Sequence, residues 1–154
     1  MDLARLIQPS AVKLAGKVNS KKRLFLMLGE IAQTAYELDA EDTVSALLER
    51  ENLGPTGVGS GVALPHARIE GLDHVVGAFV RLETPLDFDS ADRQGVDLVL
   101  ALFAPANAGA DHLKALAAAS RTLRDDDVCT KLRANSDPAT LHTILTETRA
   151  SRAA

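Results

Sequence analysis

The chain is poor in the residues that build several common kinds of site, and each shortage closes a class of function. Its single cysteine, Cys129, excludes an internal disulfide and a cysteine-rich zinc site. Aromatics make up 3% of the residues and tryptophan is absent, which leaves no platform for stacking bases. No basic excess is present either: a net charge of −4 argues against a nucleic-acid partner. No apolar run approaches the roughly 20 residues of a membrane span. The run LFLML at 24–28 is short and follows Lys21, Lys22 and Arg23 well inside the chain, unlike a signal peptide. These absences predict a cytoplasmic protein without membrane insertion.

What is present fits a globular domain. The 154 residues are 46% hydrophobic and 25% charged, with no internal repeat or low-complexity linker. One domain over 1–154 is expected, its core over about 3–147. A short helix is predicted at 2–7 and a strand near Ala11–Leu14. Ser20 caps a helix reaching about Tyr36, with Leu24, Leu28, Ile31 and Ala35 on one face. Its first turn holds three cations, which the helix dipole disfavours. They read first as a solvated surface and second as a docking patch. Asp39 caps another helix, with Val44, Leu47 and Leu48 facing inward, and Gly54 and Pro55 stop it.

The pattern then changes. Val62–Leu64 reads as a short strand, and the runs at 75–82 and 96–103 are almost wholly apolar. Such runs fit strands covered on both faces. LDF at 86–88 alternates like a separate short strand at an edge. From Gly109 the chain is helical again: Leu113, Leu116, Ser120 and Leu123 mark one face, and Val128, Leu132, Leu141 and Leu145 belong to two shorter helices. Helices, then strands, then helices predict an α/β three-layer sandwich, a mixed β-sheet flanked by helices.

The stretch GVGSGVALPHARIEGL, 57–72, carries the chemistry. Gly57, Gly59 and Gly61 give neither GxGxxG nor GK[ST], so no dinucleotide fold or P-loop is supported. The glycines fit a phosphate-approaching backbone or a twisted sheet edge equally well. Pro65 fixes its own φ and holds Leu64 extended, so His66 stands on a stiffened backbone at a strand end. A held imidazole, partly unprotonated near neutral pH, suits reversible phosphoryl carriage. A satisfied structural histidine is the alternative.

Around those residues, LLERENLGPTGVGSGVALPHARIEGL at 47–72 resembles the enzyme IIA domains of the bacterial phosphotransferase system, fructose/mannitol type. It looks most similar to their nitrogen-related regulatory branch. The stretch at 82–125 and the leader LARLIQPSAVKL continue the likeness over roughly 3–147. Pro55-Thr56-Gly57 replaces a frequent STG, and Ala67-Arg68 replaces a Gly-Lys pair.

The resemblance implies a phosphotransferase-type phosphocarrier. His66 would be the nucleophile, forming tele-phosphohistidine with phosphate from an HPr-type phosphocarrier protein. His112 would be a second histidine beside it, and Arg50 an arginine near the phosphoryl group. Local sequence also allows plainer roles, Arg50 as a cation at a helix C-terminus and His112 as a solvated residue at a helix start. Thr56 and Ser60 are possible phosphate-loop contacts. His142 is expected to be exposed and Cys129 to be buried filling. A zinc site from His66, His74 and His112 lacks HExxH spacing, and no metal or cofactor is expected.

Three functions follow. The first is a regulator whose phosphorylation state sets its binding to targets, for which the family points to a potassium transporter or a sensor kinase. The second is a sugar-uptake component passing phosphate to a separate IIB domain. The third is a small-molecule binding domain that shares only the loop.

Overall fold

The computed structural model describes residues 2–147; position 1 and positions 148–154 of the expected domain lie outside them. Helix α1 is Leu3–Leu6, followed by a 3-10 turn at Pro9–Ala11 and strand β1, Val12–Ala15. Helices α2 (Lys21–Tyr36) and α3 (Ala40–Leu53) come next, then strands β2 (Gly57–Gly59), β3 (Val62–Ala63), β4 (His66–Ile69), β5 (Val76–Leu86) and β6 (Val96–Pro105). Helices α4 (Ala110–Leu123), α5 (Asp126–Arg133) and α6 (Pro138–Thr146) complete the described chain.

Strand order is β1-β5-β6-β3-β2, with β4 also paired to β6. The sheet is mixed: β5 and β6 are antiparallel, whereas β1 runs parallel to β5, and β3 and β4 run parallel to β6. Successive strand side chains point to opposite faces, so a strand buried at nearly every position needs cover on both. In β6 only Asp97 is not buried, and helices flank the sheet as the apolar runs predicted.

The helix ends follow their caps. Ser20 Oγ accepts from Arg23 N, Asp39 accepts from Asp42 N, and α3 closes at Gly54. No helix among the described residues is long and apolar enough to cross a membrane.

Several expectations are corrected. LDF at 86–88 is no separate strand: β5 runs on to Leu86, which pairs with Val96 across a register shift. Phe88 leaves the sheet and packs edge-on against Phe25 of α2, ring centroids 6.3 Å apart. In α4 the inward face is His112, Ala115, Ala118, Ala119 and Leu123, while Leu113 is 71% exposed. His142 is half-buried rather than exposed, and its Nε2 donates to the carbonyl of Ile7. Cys129 is buried as expected and its thiol donates to Leu123 O.

Candidate functional site

The glycines form a sheet edge. β2 and β3 make a hairpin whose turn residues, Ser60 and Gly61, have φ of 58° and 81°. Two positive φ values in a row match the right-handed twist of a tight hairpin. At Gly61 a Cβ would also stand 2.5 Å from Arg133 Nη2, so any other residue there would displace that side chain as well as strain the turn.

Past the hairpin the chain shares the edge of β6 between two short strands. β3 pairs with Leu98 and Val99, β4 pairs from Leu102 onward, and Leu64–Pro65 separates them. Pro65 has no N–H to give, but its carbonyl accepts from Leu102 N at 2.9 Å, which keeps the break in register. His66 is therefore the first residue of β4, held by the ladder on one side and the proline on the other.

Its imidazole is held at both nitrogens. Nδ1 lies 2.9 Å from the carbonyl oxygen of Leu64, which can only accept, so Nδ1 carries the proton. Nε2 lies 3.2 Å from Arg50 Nε, which can only donate, so Nε2 presents its lone pair. The two contacts demand one neutral tautomer. Arg50 reaches over from the last turn of α3 and is itself held by Nη1 donating to Gly54 O at 3.0 Å.

His112, in the first turn of α4, meets His66 edge-on, with ring centroids 5.5 Å apart at 72°. It is 7% exposed, and its Nε2 is buried without a hydrogen-bond partner among the described residues. Burial lowers its pKa from the ordinary 6.5, and the cation of Arg68, with His66 whenever that ring is protonated, pushes the same way. Two neutral imidazoles and a guanidinium thus converge at one end of the sheet. Such a group can offer one nucleophilic nitrogen and several donors to an anion.

A family model described as the phosphoenolpyruvate-dependent sugar phosphotransferase system, EIIA 2, matches residues 5–148. The chain belongs to this EIIA family. A nitrogen regulatory protein of Bradyrhizobium diazoefficiens is 47% identical over 148 residues, 94% of this chain and 95% of its own length. The crystal structure of nitrogen regulatory protein IIA-Ntr from Neisseria meningitidis superposes with a TM-score of 0.86 at 34% identity, covering 94% of this chain and 99% of that one. A fructose-specific EIIA component of Haloferax volcanii is 33% identical over 147 residues, 95% of this chain and 96% of its own. The fold is that of its EIIA neighbours, and the chain's family is a phosphotransfer component.

Within this EIIA domain, the remaining sequence-predicted residues are engaged elsewhere. Thr56 is buried, and both its amide and its hydroxyl donate to Glu51. Ser60 donates its amide to Asp92 and accepts from Arg133 at its carbonyl. No hydrogen bond joins Thr56 or Ser60 to His66 among the described residues. His74 stands on the surface, its Nδ1 against the Asp73 carboxylate.

Sequence reasoning missed Glu51 and Lys21. Glu51, only 9% exposed, lies beside Arg50 and forms an ion pair at 2.9 Å with Lys21 from the first turn of α2. Lys21 is thus not part of a solvated surface. The signal was present in the charges: an acid in the last turn of one helix and a cation in the first turn of another each oppose their own dipole. Together they satisfy each other.

Proposed function

We propose that the chain is a nitrogen-related EIIA protein that takes a phosphoryl group on His66 Nε2 from a phosphorylated HPr-type carrier. Its phosphorylation state would then regulate the proteins it binds. The observation that carries this reading is the pair of contacts at His66. Leu64 O and Arg50 Nε select the neutral tautomer whose free lone pair is on Nε2.

In the reaction, the Nε2 lone pair attacks the phosphorus in line and forms a new N–P bond. The bond to the donor's imidazole breaks, and that ring keeps the electron pair. Arg50 Nε–H sits on the lone pair in the resting state, so the guanidinium moves off Nε2 as the phosphoryl group arrives. It then offers its donor fork to the equatorial oxygens. Nδ1–H stays on Leu64 O and disperses the positive charge that develops on the ring. His112, carrying its proton on the unpartnered Nε2, donates to an oxygen of the same phosphoryl group.

Carrier docking has support in the surface. Leu53, Val58 and Leu113 are 82%, 59% and 71% exposed. They lie on α3, β2 and α4, the elements that carry Arg50, lead to His66 and carry His112. A phosphate here adds roughly −1.5 to −2 charges, enough to change which partner such a surface accepts. Regulated targets would be proteins such as a potassium transporter or a sensor kinase in the cytoplasm.

Intact-mass measurement tests the reading, using phosphoenolpyruvate, enzyme I and an HPr-type carrier. An acid-labile gain of one phosphoryl group is expected, abolished in His66→Ala. No gain with several competent carriers would overturn it. The fructose-specific name of the Haloferax relative favours one second reading, transfer onward to a separate IIB domain. Loss of the label on adding a fructose-type IIB domain would select it.

A further inference from the structure

We propose that Glu51 is the positioning residue that fixes both ring nitrogens of His66, although it touches neither. Two chains of contacts start at this residue: one from its carboxylate ends at Nδ1, and one from its backbone carbonyl, in the turn that the carboxylate closes, ends at Nε2. The proposal rests on the functional reading above only for what the held imidazole is used for.

The first chain runs through the loop. Glu51 Oε2 accepts from Thr56 N at 3.0 Å, and Oε1 accepts from Thr56 Oγ1 at 2.5 Å. Thr56 O in turn accepts from Leu64 N at 3.0 Å, and Leu64 O accepts from His66 Nδ1 at 2.9 Å. The second chain runs through the helix end. Glu51 O accepts from Gly54 N at 3.1 Å, and the carboxylate's hold on Thr56 closes the turn that contains Gly54. Gly54 O then accepts from Arg50 Nη1, leaving Arg50 Nε aimed at His66 Nε2. One rigid turn, 50–56, therefore sets the acceptor for one nitrogen and the donor for the other.

A buried carboxylate is an expensive way to hold a loop, because an ion taken from water must be fully paired. Glu51 meets that demand with three donors, two from Thr56 and one from Lys21 Nζ at 2.9 Å. Lys21 is itself seated over the Phe88 ring, 4.8 Å from its centroid. For a residue that only ended a helix, a glycine and a water-exposed carbonyl would serve as well. Hydrogen bonds to an ionised acceptor are shorter and stronger than neutral ones, so they limit how far the turn can drift. Drift matters here because a misplacement of about 1 Å at a reacting nitrogen can cost a hundredfold in rate.

The test reads the tautomer directly. In 15N-labelled, unphosphorylated protein at about pH 8, above the ordinary imidazole range, long-range 1H–15N spectra report which nitrogen of His66 carries the proton. The wild type should show the single Nδ1–H form. Glu51→Gln should show a mixture of tautomers and take phosphate from the carrier about 10- to 100-fold more slowly. Thr56→Ser should keep the wild-type spectrum, whereas Thr56→Val, without the hydroxyl, should move toward the mixture. A folded Glu51→Gln protein with the wild-type tautomer and transfer rate would overturn the proposal. Should that variant not fold, indistinguishable spectra for Thr56→Val and Thr56→Ser would overturn it instead. A wild type that takes no phosphate defeats the functional reading alone, since the tautomer comparison requires no transfer.

Discussion

The hairpin turn at Ser60–Gly61 and the helix end at Arg50–Glu51 both lie upstream of His66, and charged side chains pin both. At the hairpin, Arg133 donates to both oxygens of Asp97 at 2.9 Å and to Ser60 O at 2.9 Å, while Asp92 accepts from Ser60 N. These groups face solvent: the side chains of Arg133 and Asp97 are 38% and 20% exposed. At the helix end the Glu51 side chain is 6% exposed. Its partner Lys21 is 20% exposed, so water competes for the first set of contacts more than for the second. The exposed set therefore shapes an edge, while the buried set can hold an atom in one place.

Breaking the buried side should have the largest effect on stability. Lys21→Met leaves Glu51 with Thr56 as its donor and no other ion pair among the described residues, and a loss on the order of 3 kcal/mol is expected. Urea melts of the variant and the wild type, with equal denaturant slopes, would measure it. The corresponding change at the hairpin, Arg133→Ala, should cost about 1 kcal/mol and should cost less in high salt. Equal costs for the two variants, or a salt-independent loss at Arg133, would erase the distinction between the locks.

What the sequence made legible followed the same division. β6 was readable because its burial on both faces leaves an unbroken apolar run, and the α2 and α3 caps were readable because Ser20 and Asp39 act locally. His66 is singled out by its own stretch and Arg50 and His112 only by the family resemblance, and the structure brings the three together. The inward face of α4 was not readable, since a polar side chain, His112, occupies a buried position ahead of three alanines and leaves Leu113 outside. From the sequence β2 stays open between a phosphate loop and a sheet edge, and β4 does not read as a strand, because glycines and the HARI segment carry no long alternation. Glu51 and Lys21 each looked like a local misfit with a helix dipole. Their partnership spans 30 positions of chain and appears only when α2 and α3 pack together.

The smallest expected effect sharpens the comparison through pH. Burial lowers the pKa of His112 below 6.5, so the folded protein disfavours its charged form. Above 6.5 the imidazole is neutral in both folded and unfolded chains, and its contribution to stability is complete. As the pH falls through 6.5 toward the folded value, the unfolded chain binds the proton first and that contribution is lost. Asp92, by contrast, is lowered from 3.8 by the amides of Ser60 and Gln94, so the hairpin's own loss comes only at or below that value. The buried site imidazole and the exposed hairpin carboxylate thus titrate in separate windows. Urea melts repeated at steps from about pH 7.5 to about pH 5, spanning the ordinary histidine value, should show wild-type stability declining and His112→Gln declining less. An identical slope in the variant would mean that the buried imidazole takes up its proton at no cost to the fold.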